Sequence, residues 1–545
     1  MRYGLPIGKT APARRGGRVL PVPPRPPRPG TRPGAGPLAR TSRLGAALAC
    51  AGLFLRLAAG DLDAAQAAAP ESRPPRLSPD YAGVVIPPNI APLNFKVQEP
   101  GARYQVGIYS SQGGRIEISS SDSSIRIPAG KWRALLRANP GGPLCFDVSV
   151  RDARRQWNRF QTVTNSIARE DIDRSLVYRL LKPLYNLYVN VGIYQRDLES
   201  FDQRPVLENG KIEQGCLNCH TPLNHRPDTF AFHTRSHGKS QPMILVVSNQ
   251  VTRVDKTMGY LSWHPSGRLL AFSANKLSLF FHTRGEARDV FDSASNLGIY
   301  RLDSNTVVVP PPLALPDRNE TWPSWSPDGR YLYYCSAPRL PVERFRQVRY
   351  DLMRISYDIQ QDRWGEPQLL LSSEQSGLSA AHPRVSPNGR WLVFTLARYG
   401  NFPIYQPSAD LYVIDLDTRQ CRRLGINSDQ ADSWHEWSSN GHWLVFSSKR
   451  LDGLFARPFF SYVDDEGQFY KPFVLPQADP AFYESFPKTF NVPELVQGPI
   501  TVKESDLARA VLHPLKILTP KGDTHPPSQH PPGGESEEEY KQTAQ

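Results

Sequence analysis

Short apolar strands separated by Gly- and Pro-containing turns dominate the chain from about residue 241 onward. Four segments repeat one pattern, in which an aromatic or apolar residue precedes a Ser-Pro-Asp/Asn-Gly-like turn and a strand of alternating apolar and polar positions. Proline presets the first corner of such a turn, and Asn or Asp before Gly favours the positive-φ corner, so each segment predicts a β-hairpin. The segments are SWHPSGRLLAFS (262–273), SWSPDGRYLYYCS (324–336), RVSPNGRWLVFT (384–395) and EWSSNGHWLVFSS (436–448).

The spacing of these hairpins predicts a β-propeller over residues 241–500. Successive copies lie roughly 50 to 60 residues apart, which is the length of one four-stranded blade with an extended loop. Second strand groups such as DLMRISYD and DLYVIDLDTRQ fall between the copies. MILVVSNQVTRV and FFSYVDDEGQFYKPFVL flank the four clear copies and would complete a fifth and a sixth blade.

Two further segments precede the repeats. Residues 80–165 alternate apolar and polar positions between Gly, Pro and Ser turns, which predicts a small antiparallel β-domain resembling a sandwich. Residues 170–200 place leucines and a tyrosine on overlapping helical faces, with Pro183 ending or kinking the helix. The segment 168–240 is therefore predicted to be helical, and the fold class mainly β.

The formal net charge of +13 is concentrated at the amino terminus. Residues 1–43 hold ten Lys or Arg and no acid, which leaves the remainder near +3 and argues against a nucleic-acid partner. This head is rich in Pro and Gly and cannot bury enough apolar area to fold. The tail at 518–545 is rich in Pro, Gly and acid, and it is predicted to be disordered.

An apolar run at residues 44–60, followed by the small-residue segment DAAQAAAP, resembles an export signal with a long basic head. Residues 1–70 are thus predicted to direct the protein out of the cytoplasm. A retained membrane anchor and a lipoprotein site at Cys50 remain as alternatives, and so does a start codon assigned too early.

The segment GCLNCH is the strongest chemical signal in the chain. Cys216, Cys219 and His220 follow the C-x-x-C-H pattern of c-type haem attachment, in which two thiols form thioethers and the imidazole binds iron. One helical turn would bring these three residues to one edge. The sequence therefore predicts one covalent haem c, with His220 as the proximal ligand.

Three other interpretations of the cysteine pair stay open. Structural zinc needs further ligands, and the nearby His225, His233 and His237 would have to supply them. A redox-active pair of the thioredoxin type expects a βαβ context that is absent from the pattern. A local disulfide is the third interpretation.

The second axial ligand is open as well. Candidates within reach in sequence are His225, His233, His237, Met243, Met258 and His282, and a five-coordinate or water-bound iron is the alternative. His233, in FAFHTR, is the first choice, although a second FHTR carries His282.

The repeats W-S-P-D-G-R-x-L-x-[YF] and D-L-Y-V-I-D-L resemble those of TolB-like β-propellers. The span that includes GCLNCHTP, FAFHTR and LSWHPSGRLLAFS resembles bacterial exported proteins that join one C-x-x-C-H motif to such a propeller. The resemblance implies a periplasmic, cytochrome-like protein whose propeller docks a partner.

These observations define three functional hypotheses. The first is an exported c-type cytochrome-like protein that exchanges electrons with a redox or envelope protein partner and is not itself an enzyme. The second is a non-enzymatic envelope interaction module with a structural cysteine pair, and the third is a haem-dependent oxidoreductase. No G-x-S-x-G elbow, Walker A, Rossmann glycine pattern or H-E-x-x-H occurs in the sequence.

Overall fold

The computed structural model of the protein describes residues 71–182, 190–235, 241–280, 289–313 and 315–522. The predicted export signal at 1–70 and nearly all of the predicted disordered tail lie outside these residues. Within the described ranges, no helix is both long enough and apolar enough to cross a membrane.

Two β-sheets occupy residues 77–167, where the sequence predicts a small β-domain. One sheet has the order β2-β9-β7-β4-β5 with β8 paired to β7, and the other has the order β1-β3-β6. Phe95 and Phe146 stack between the sheets with ring centroids 5.7 Å apart. The elements are β1 (Leu77–Ser78), β2 (Val85–Ile86), β3 (Phe95–Val97), β4 (Arg103–Tyr109), β5 (Ile116–Ser120), β6 (Ser124–Ile125), α1 (Ala129–Arg137), β7 (Pro143–Arg151), β8 (Trp157–Arg159) and β9 (Val163–Ile167).

A series of antiparallel sheets follows along the chain, each built from consecutive strands. The first three contain β10 (Ser175–Leu181), β11 (Gly192–Asp197) and β12 (Gln203–Glu208); then β13 (Cys216–Pro222), β14 (Phe230–Arg235), β15 (Met243–Val247) and β16 (Gln250–Val254); then β17 (Gly259–Trp263), β18 (Leu269–Phe280), β19 (Asp289–Arg301) and β20 (Thr306–Val308). Short 3-10 turns lie at Asn209–Lys211, Pro311–Leu313, Val342–Gln347 and Pro403–Tyr405.

The remaining sheets have the same sequential order, except that two short strands both pair with β23. They contain β21 (Arg318–Trp325), β22 (Tyr331–Pro338), β23 (Asp351–Asp358), β24 (Arg363–Trp364) and β25 (Gln368–Leu371); then β26 (Ser379–Val385), β27 (Trp391–Ala397), β28 (Asp410–Asp415) and β29 (Cys421–Arg423); then β30 (Asp432–Trp437), β31 (Trp443–Ser448), β32 (Arg457–Tyr462) and β33 (Phe473–Val474). Helix α2 (Ser373–Ser376) precedes β26, and helix α3 (Phe482–Ser485) follows β33.

The last long strand, β34 (Thr489–Val496), joins the first sheet of the series. It pairs antiparallel with β10 from Ser175 to Leu181, so this sheet has the order β12-β11-β10-β34. Helix α4 (Glu504–Leu512) and strand β35 (Ile517–Leu518) follow, and β35 adds to β16 in parallel. The carboxyl-terminal part of the chain therefore completes a sheet that begins some 300 residues earlier.

The innermost strands of these sheets are β13, β17, β21, β26, β30 and β34, and we call them the inner strands. Each contacts the next along the chain, and β34 contacts both β30 and β13, which closes the cycle. A closed cycle of consecutive four-stranded antiparallel sheets is the arrangement of a β-propeller. The protein is thus mainly β and contains a β-propeller.

The segment 168–240 is not helical as the sequence pattern predicts. Its described residues form β10 to β14, which are strands of the first two sheets, and the propeller begins near Ser175 instead of residue 241. The reason lies in the burial of SLVYRLL, where six of seven side chains are buried because both faces of the strand are covered. A strand buried on both faces loses its alternation, and its sequence pattern then cannot be separated from that of a helix.

The four repeated hairpins form as the sequence predicts. The segments at 262–273, 324–336, 384–395 and 436–448 become β17–β18, β21–β22, β26–β27 and β30–β31. In each turn the glycine itself takes the left-handed conformation, with φ between 72° and 78° at Gly267, Gly329, Gly389 and Gly441. In three of the turns the Asp or Asn before the glycine accepts a hydrogen bond from the serine hydroxyl two residues earlier, as Asp328 does from Ser326 at 2.6 Å. In the first turn Ser266 precedes the glycine and pairs with His264.

Candidate functional site

The inner strands share one irregularity. The register shifts between Asn218 and Thr221 in β13 and at the corresponding place in the four inner strands that follow it, and also where β34 faces β10. The second residue of this bulge is left-handed in five inner strands, with φ between 45° and 56° at Tyr260, Trp322, His382, Trp434 and Val492. A left-handed backbone is rare for such side chains, so the bulge is a built feature of the repeat.

Aligned on this bulge, the C-x-x-C-H motif is the β13 copy of the repeat. Asn218 is at the first bulge position, Cys219 at the second and His220 at the third. The motif therefore lies on a strand at the propeller's inner edge, and the prediction that one helical turn presents it is wrong. The bulge also changes which side chains share a face, because Leu217 belongs to the hydrophobic cluster of Val177, Ile193 and Val206, and His220, three residues later, lines a small space bordered by the same three residues.

Side chains at the second bulge position converge in the other inner strands. The rings of Tyr260 and Trp322 have centroids 3.8 Å apart, and Trp322 lies 5.1 Å from His382 and 5.0 Å from Trp434. These four residues form an aromatic cluster that joins neighbouring sheets. Cys219 occupies the equivalent backbone position in β13, while its side chain lies outside what the structure describes.

His220 is buried without any hydrogen bond to either ring nitrogen. Its side chain is 4% exposed and borders a small apolar space of about 10 Å³ that is lined by Val177, Phe230 and Val496. Burial lowers the pKa of His220 to about 4, and nearby backbone groups of Val177 and Val492 oppose this effect only in part. Neither backbone group lies in hydrogen-bond geometry with the ring. The imidazole is therefore neutral at neutral pH, and one of its two ring nitrogens carries a lone pair that no hydrogen bond engages.

His435 provides an internal comparison, since it lies at the same third bulge position in β30. It is also fully buried, but its Nε2 lies 3.0 Å from the carbonyl oxygen of Val393. His435 thus has a partner for one of its two ring nitrogens and none for Nδ1, whereas His220 has none for either nitrogen. Leaving a buried polar group unpaired costs about 1–3 kcal/mol, so His220 is the anomaly.

Cys216 is a buried free thiol at the start of β13. Its Sγ lies 3.3 Å from Nδ2 of Asn218 and 3.7 Å from Nη2 of Arg179. Arg179 is half-buried, its Nε has no hydrogen-bond partner, and no carboxylate pairs with it among the described residues. Arg179 thus places a positive charge beside Cys216, and no ion pair to Arg179 occurs within the described ranges.

His233, the first choice for the second axial ligand, lies on β14 directly opposite Asn218. Its backbone is therefore next to the motif. It is 1% exposed, its Nε2 accepts a 3.3 Å hydrogen bond from Nε of Arg235, and its Nδ1 has no partner. Burial and the charges of Arg235 and Arg179 hold the pKa of His233 well below its usual range.

The other candidate ligands either have contacts of their own or lie outside the residues that the structure describes. Nδ1 of His225 lies 2.9 Å from the carbonyl oxygen of Leu495. Met243 and Met258 are fully buried in an apolar cluster between β15 and β18. His237 and His282 lie outside the described residues. Of the candidates that are described, His233 alone combines burial with an unpartnered ring nitrogen.

The donor chemistry around the motif fits a haem c. His220 offers one lone pair that no hydrogen bond engages. Nε2 of His233 accepts the bond from Arg235, so its Nδ1 carries the proton and that bond would have to break before His233 could bind a metal. The thiol of Cys216 starts the same strand as His220. The space beside His220 is far smaller than a haem, so the packing of Val177, Phe230 and Val496 would have to open to admit one. No group of three or more His, Cys, Asp or Glu side chains arranged to hold a metal ion occurs within the described ranges.

A second buried polar cluster surrounds Asp292 on β19. Oδ2 of Asp292 accepts hydrogen bonds from Nδ2 of Asn275 at 2.5 Å and of Asn401 at 3.2 Å, while Oδ1 has no partner. Burial raises the pKa of Asp292 to about 7 and that of the nearby strand residue Glu320 to about 8. The sequence analysis missed both acids because each lies inside an otherwise ordinary strand pattern.

We expect Asp292→Asn to stabilise the protein at pH 8 and to change little at pH 4. The folded state holds the proton of Asp292 up to about pH 7 while the unfolded chain releases it near 4, so the wild-type protein loses stability as the pH rises between these values. The penalty removed at pH 8 is on the order of 4 kcal/mol. Urea unfolding at pH 4, 6 and 8 measures it; equal gains at all three values would contradict the assignment.

Three further charged residues were also missed by the sequence analysis. Arg384, Glu436 and Glu494 occupy the fourth bulge position in β26, β30 and β34, where β13, β17 and β21 carry Thr221, Ser262 and Ser324. An alignment of HPR and WHE with WPS on the residues before each turn would have revealed Arg384 and Glu436. The equivalence with β34 could not be seen, because that strand carries no hairpin turn of the repeated type.

Comparisons with known proteins return propeller structures of low similarity. An oligogalacturonate lyase in complex with manganese is 13% identical, covers 68% of this chain and 99% of its own, and has a TM-score of 0.32. A nidogen/laminin complex is 8% identical, covers 59% and 99%, and has a TM-score of 0.35. The β-propeller domain of Myceliophteria thermophila Cps50 is 13% identical, covers 47% and 72%, and has a TM-score of 0.29.

No protein-family model matches the chain, and none of the curated proteins matches it. The structural likenesses carry no site or activity over to this protein. Its assignment as a β-propeller rests on its own sheet order and on the closed cycle of inner strands.

Proposed function

We propose that this protein is an extracytoplasmic six-bladed β-propeller that carries one covalent haem c and passes electrons to a redox or envelope protein partner. Cys216 and Cys219 would anchor the haem and His220 would be its proximal ligand, with His233 as the candidate for the opposite side. When bound, the haem would supply a one-electron iron centre. The export signal or anchor predicted at residues 1–70 is part of the same proposal.

The observation that carries the proposal is the unpartnered imidazole of His220. Its counterpart His435 makes a hydrogen bond at the same repeat position, so the fold itself does not require an unpaired ring there. Because burial lowers its pKa to about 4, His220 offers a lone pair to iron at any pH above about 5.

The charges beside the motif support the same proposal. The guanidinium of Arg179 lies next to Cys216 and lacks a carboxylate partner among the described residues, and Arg235 lies opposite Cys216 on β14. A half-buried cation without a partner favours an anionic group, and a haem carries two carboxylates. A buried neutral His220 beside the cationic Arg179 therefore favours haem, whose carboxylates are anionic, over the cation zinc.

A second candidate function is an envelope interaction module in which the cysteines and His220 are structural. The position of His435 favours it, because a histidine at the third bulge position serves there as a packed residue between sheets. The two candidates differ in one measurable respect, which is the presence of covalently bound haem.

We expect the wild-type chain, exported in a bacterium with a c-type maturation system, to stain for haem on a denaturing gel. Cys216→Ala and Cys219→Ala should each lose most of the covalent stain, because each removes one thioether. Cys421→Ala is the matched control, since that thiol is exposed on the outer strand β29. An unstained wild-type band beside a stained reference cytochrome would overturn the haem proposal and leave the interaction module.

A further inference from the structure

The inner strands end at a cavity of about 310 Å³ that is separate from the cysteine motif. Its wall includes the residue at the fourth bulge position of each of the six inner strands, so every propeller sheet contributes to the wall. Tryptophans and prolines from the hairpin turns form much of the rest of the wall. A cavity of this size accommodates a small molecule or the end of one long side chain.

The charged groups that line this cavity do not balance. Arg384 and Glu436 form an ion pair with Nε and Oε2 2.7 Å apart, and the second oxygen of Glu436 accepts a 3.0 Å bond from the backbone nitrogen of Trp437. Glu494 is the remaining acid, and His225, whose Nδ1 is engaged by a backbone carbonyl, is the remaining titratable group on the wall. The wall thus carries one acidic group, Glu494, that has no cationic partner.

Glu494 is the unsatisfied member of the set. It is 3% exposed, it borders the cavity, and its Oε2 has no hydrogen-bond partner. Burial, together with the nearby charge of Glu436, raises its pKa well above the usual range, and Arg384 offsets this only in part. A buried carboxylate without a partner is costly, and a cation that enters the cavity would remove that cost.

The opposite wall adds polar groups of modest size. Thr221, Ser262 and Ser324 occupy the fourth bulge position there, and Ser262 Oγ already accepts a 3.0 Å bond from the backbone nitrogen of Trp325. Hydroxyls and backbone carbonyls can accept the further N–H bonds of an ammonium or guanidinium group. Arg384 is paired with Glu436, and no other Lys or Arg lines the described wall to hold an anion.

We propose that this cavity binds a small organic cation whose primary ammonium or guanidinium group pairs with Glu494. The proposal is independent of haem at Cys216 and Cys219. Entry of the cation would displace the proton of Glu494, so binding should strengthen as the pH rises. Arg384, Glu436 and His225 face the same space.

Isothermal titration calorimetry of the full chain with butylammonium tests the proposal, with 1-butanol and butyrate as uncharged and anionic analogues. We expect butylammonium to bind and both analogues to fail. A parallel titration with N-acetyl-lysine N-methylamide separates a free amine from a lysine side chain of a peptide. Equal binding of 1-butanol, or no binding of either cation at millimolar concentration, would overturn the proposal.

Glu494→Gln should weaken butylammonium binding at least about tenfold, the effect of losing one hydrogen bond to a charged group. Glu374→Gln, an exposed position on α2 away from the cavity, is the matched control and should leave the affinity unchanged. Gln497 is an exposed residue on the rim of the cavity, so Gln497→Trp should narrow the opening and weaken binding. This variant provides the test if Glu494→Gln fails to fold. Unchanged affinity in a folded Glu494→Gln variant would contradict the proposal.

Discussion

A chain that ends at Lys488 is expected to lose cooperative folding altogether. It lacks β34, which is the innermost strand of the first sheet and contacts both β30 and β13. β34 buries Phe490, Leu495 and Val496 in two hydrophobic clusters. Each large apolar side chain contributes about 1.5–3 kcal/mol, so the loss approaches the 5–15 kcal/mol that stabilises a typical domain.

The loss of the strand should have a second effect besides the lost burial. Without β34, strand β10 presents an unpaired edge at the centre of the propeller, and such an edge favours aggregation. Thermal unfolding followed by far-ultraviolet circular dichroism measures cooperativity, and light scattering measures aggregation. We expect a broad or absent transition for the truncated chain.

A chain that ends at residue 500 is the control for this truncation. It keeps β34 but lacks α4 and β35, which pack on the outer strands β12 and β16. We expect it to unfold cooperatively with a lower midpoint than the full chain. A cooperative transition in the chain that ends at 488 would show that β34 does not close the propeller.

Arg457→Lys is expected to destabilise the protein by about 3 kcal/mol or more, the cost of breaking a buried charged network. Arg457 is fully buried on β32, and its two terminal nitrogens donate to the carbonyl oxygens of Lys488 at 2.6 Å and Phe486 at 2.8 Å. Its guanidinium also lies over the rings of Phe455 and Phe486 at 4.9 and 5.5 Å. It thereby fixes the segment that leads directly into β34.

Lysine cannot replace this arrangement, because its single ammonium does not reproduce the planar fork that reaches both carbonyls. One backbone acceptor would be left unpaired, and the rings would lose their planar cation. Urea unfolding measures the loss. Arg398→Lys, at an exposed position on the loop after β27, is the matched control and should change stability by less than about 0.5 kcal/mol. A loss below about 1 kcal/mol for Arg457→Lys would contradict this role.

The local parts of the fold could be predicted from the sequence, because their signals are local. The Ser-Pro-Asp-Gly turns carry their own geometry, and the four hairpins formed where that pattern places them. The pairing of β10 with β34 could not be predicted, since it joins Ser175–Leu181 to Thr489–Val496 across some 300 residues. The strands around the motif were assigned to a helix because burial on both faces had removed their alternation.

The candidate site was predictable to a similar extent. The sequence named His220 and His233, and the structure buries both on neighbouring strands with unpartnered ring nitrogens. The sequence pattern could not show that β13 has the same bulge as the other inner strands. That equivalence is the basis for comparing His220 with His435. The charges of Arg384, Glu436 and Glu494 converge through three separate sheets, and no pattern within one segment predicts such a convergence.

A pyridine haemochrome spectrum of the purified, exported chain decides whether haem c is present. We predict a spectrum of the thioether-linked type with one haem per chain, retained after acid–acetone extraction and lost in the Cys216→Ala, Cys219→Ala double variant. A colourless wild-type protein, or a haem that acid–acetone removes completely, would contradict it.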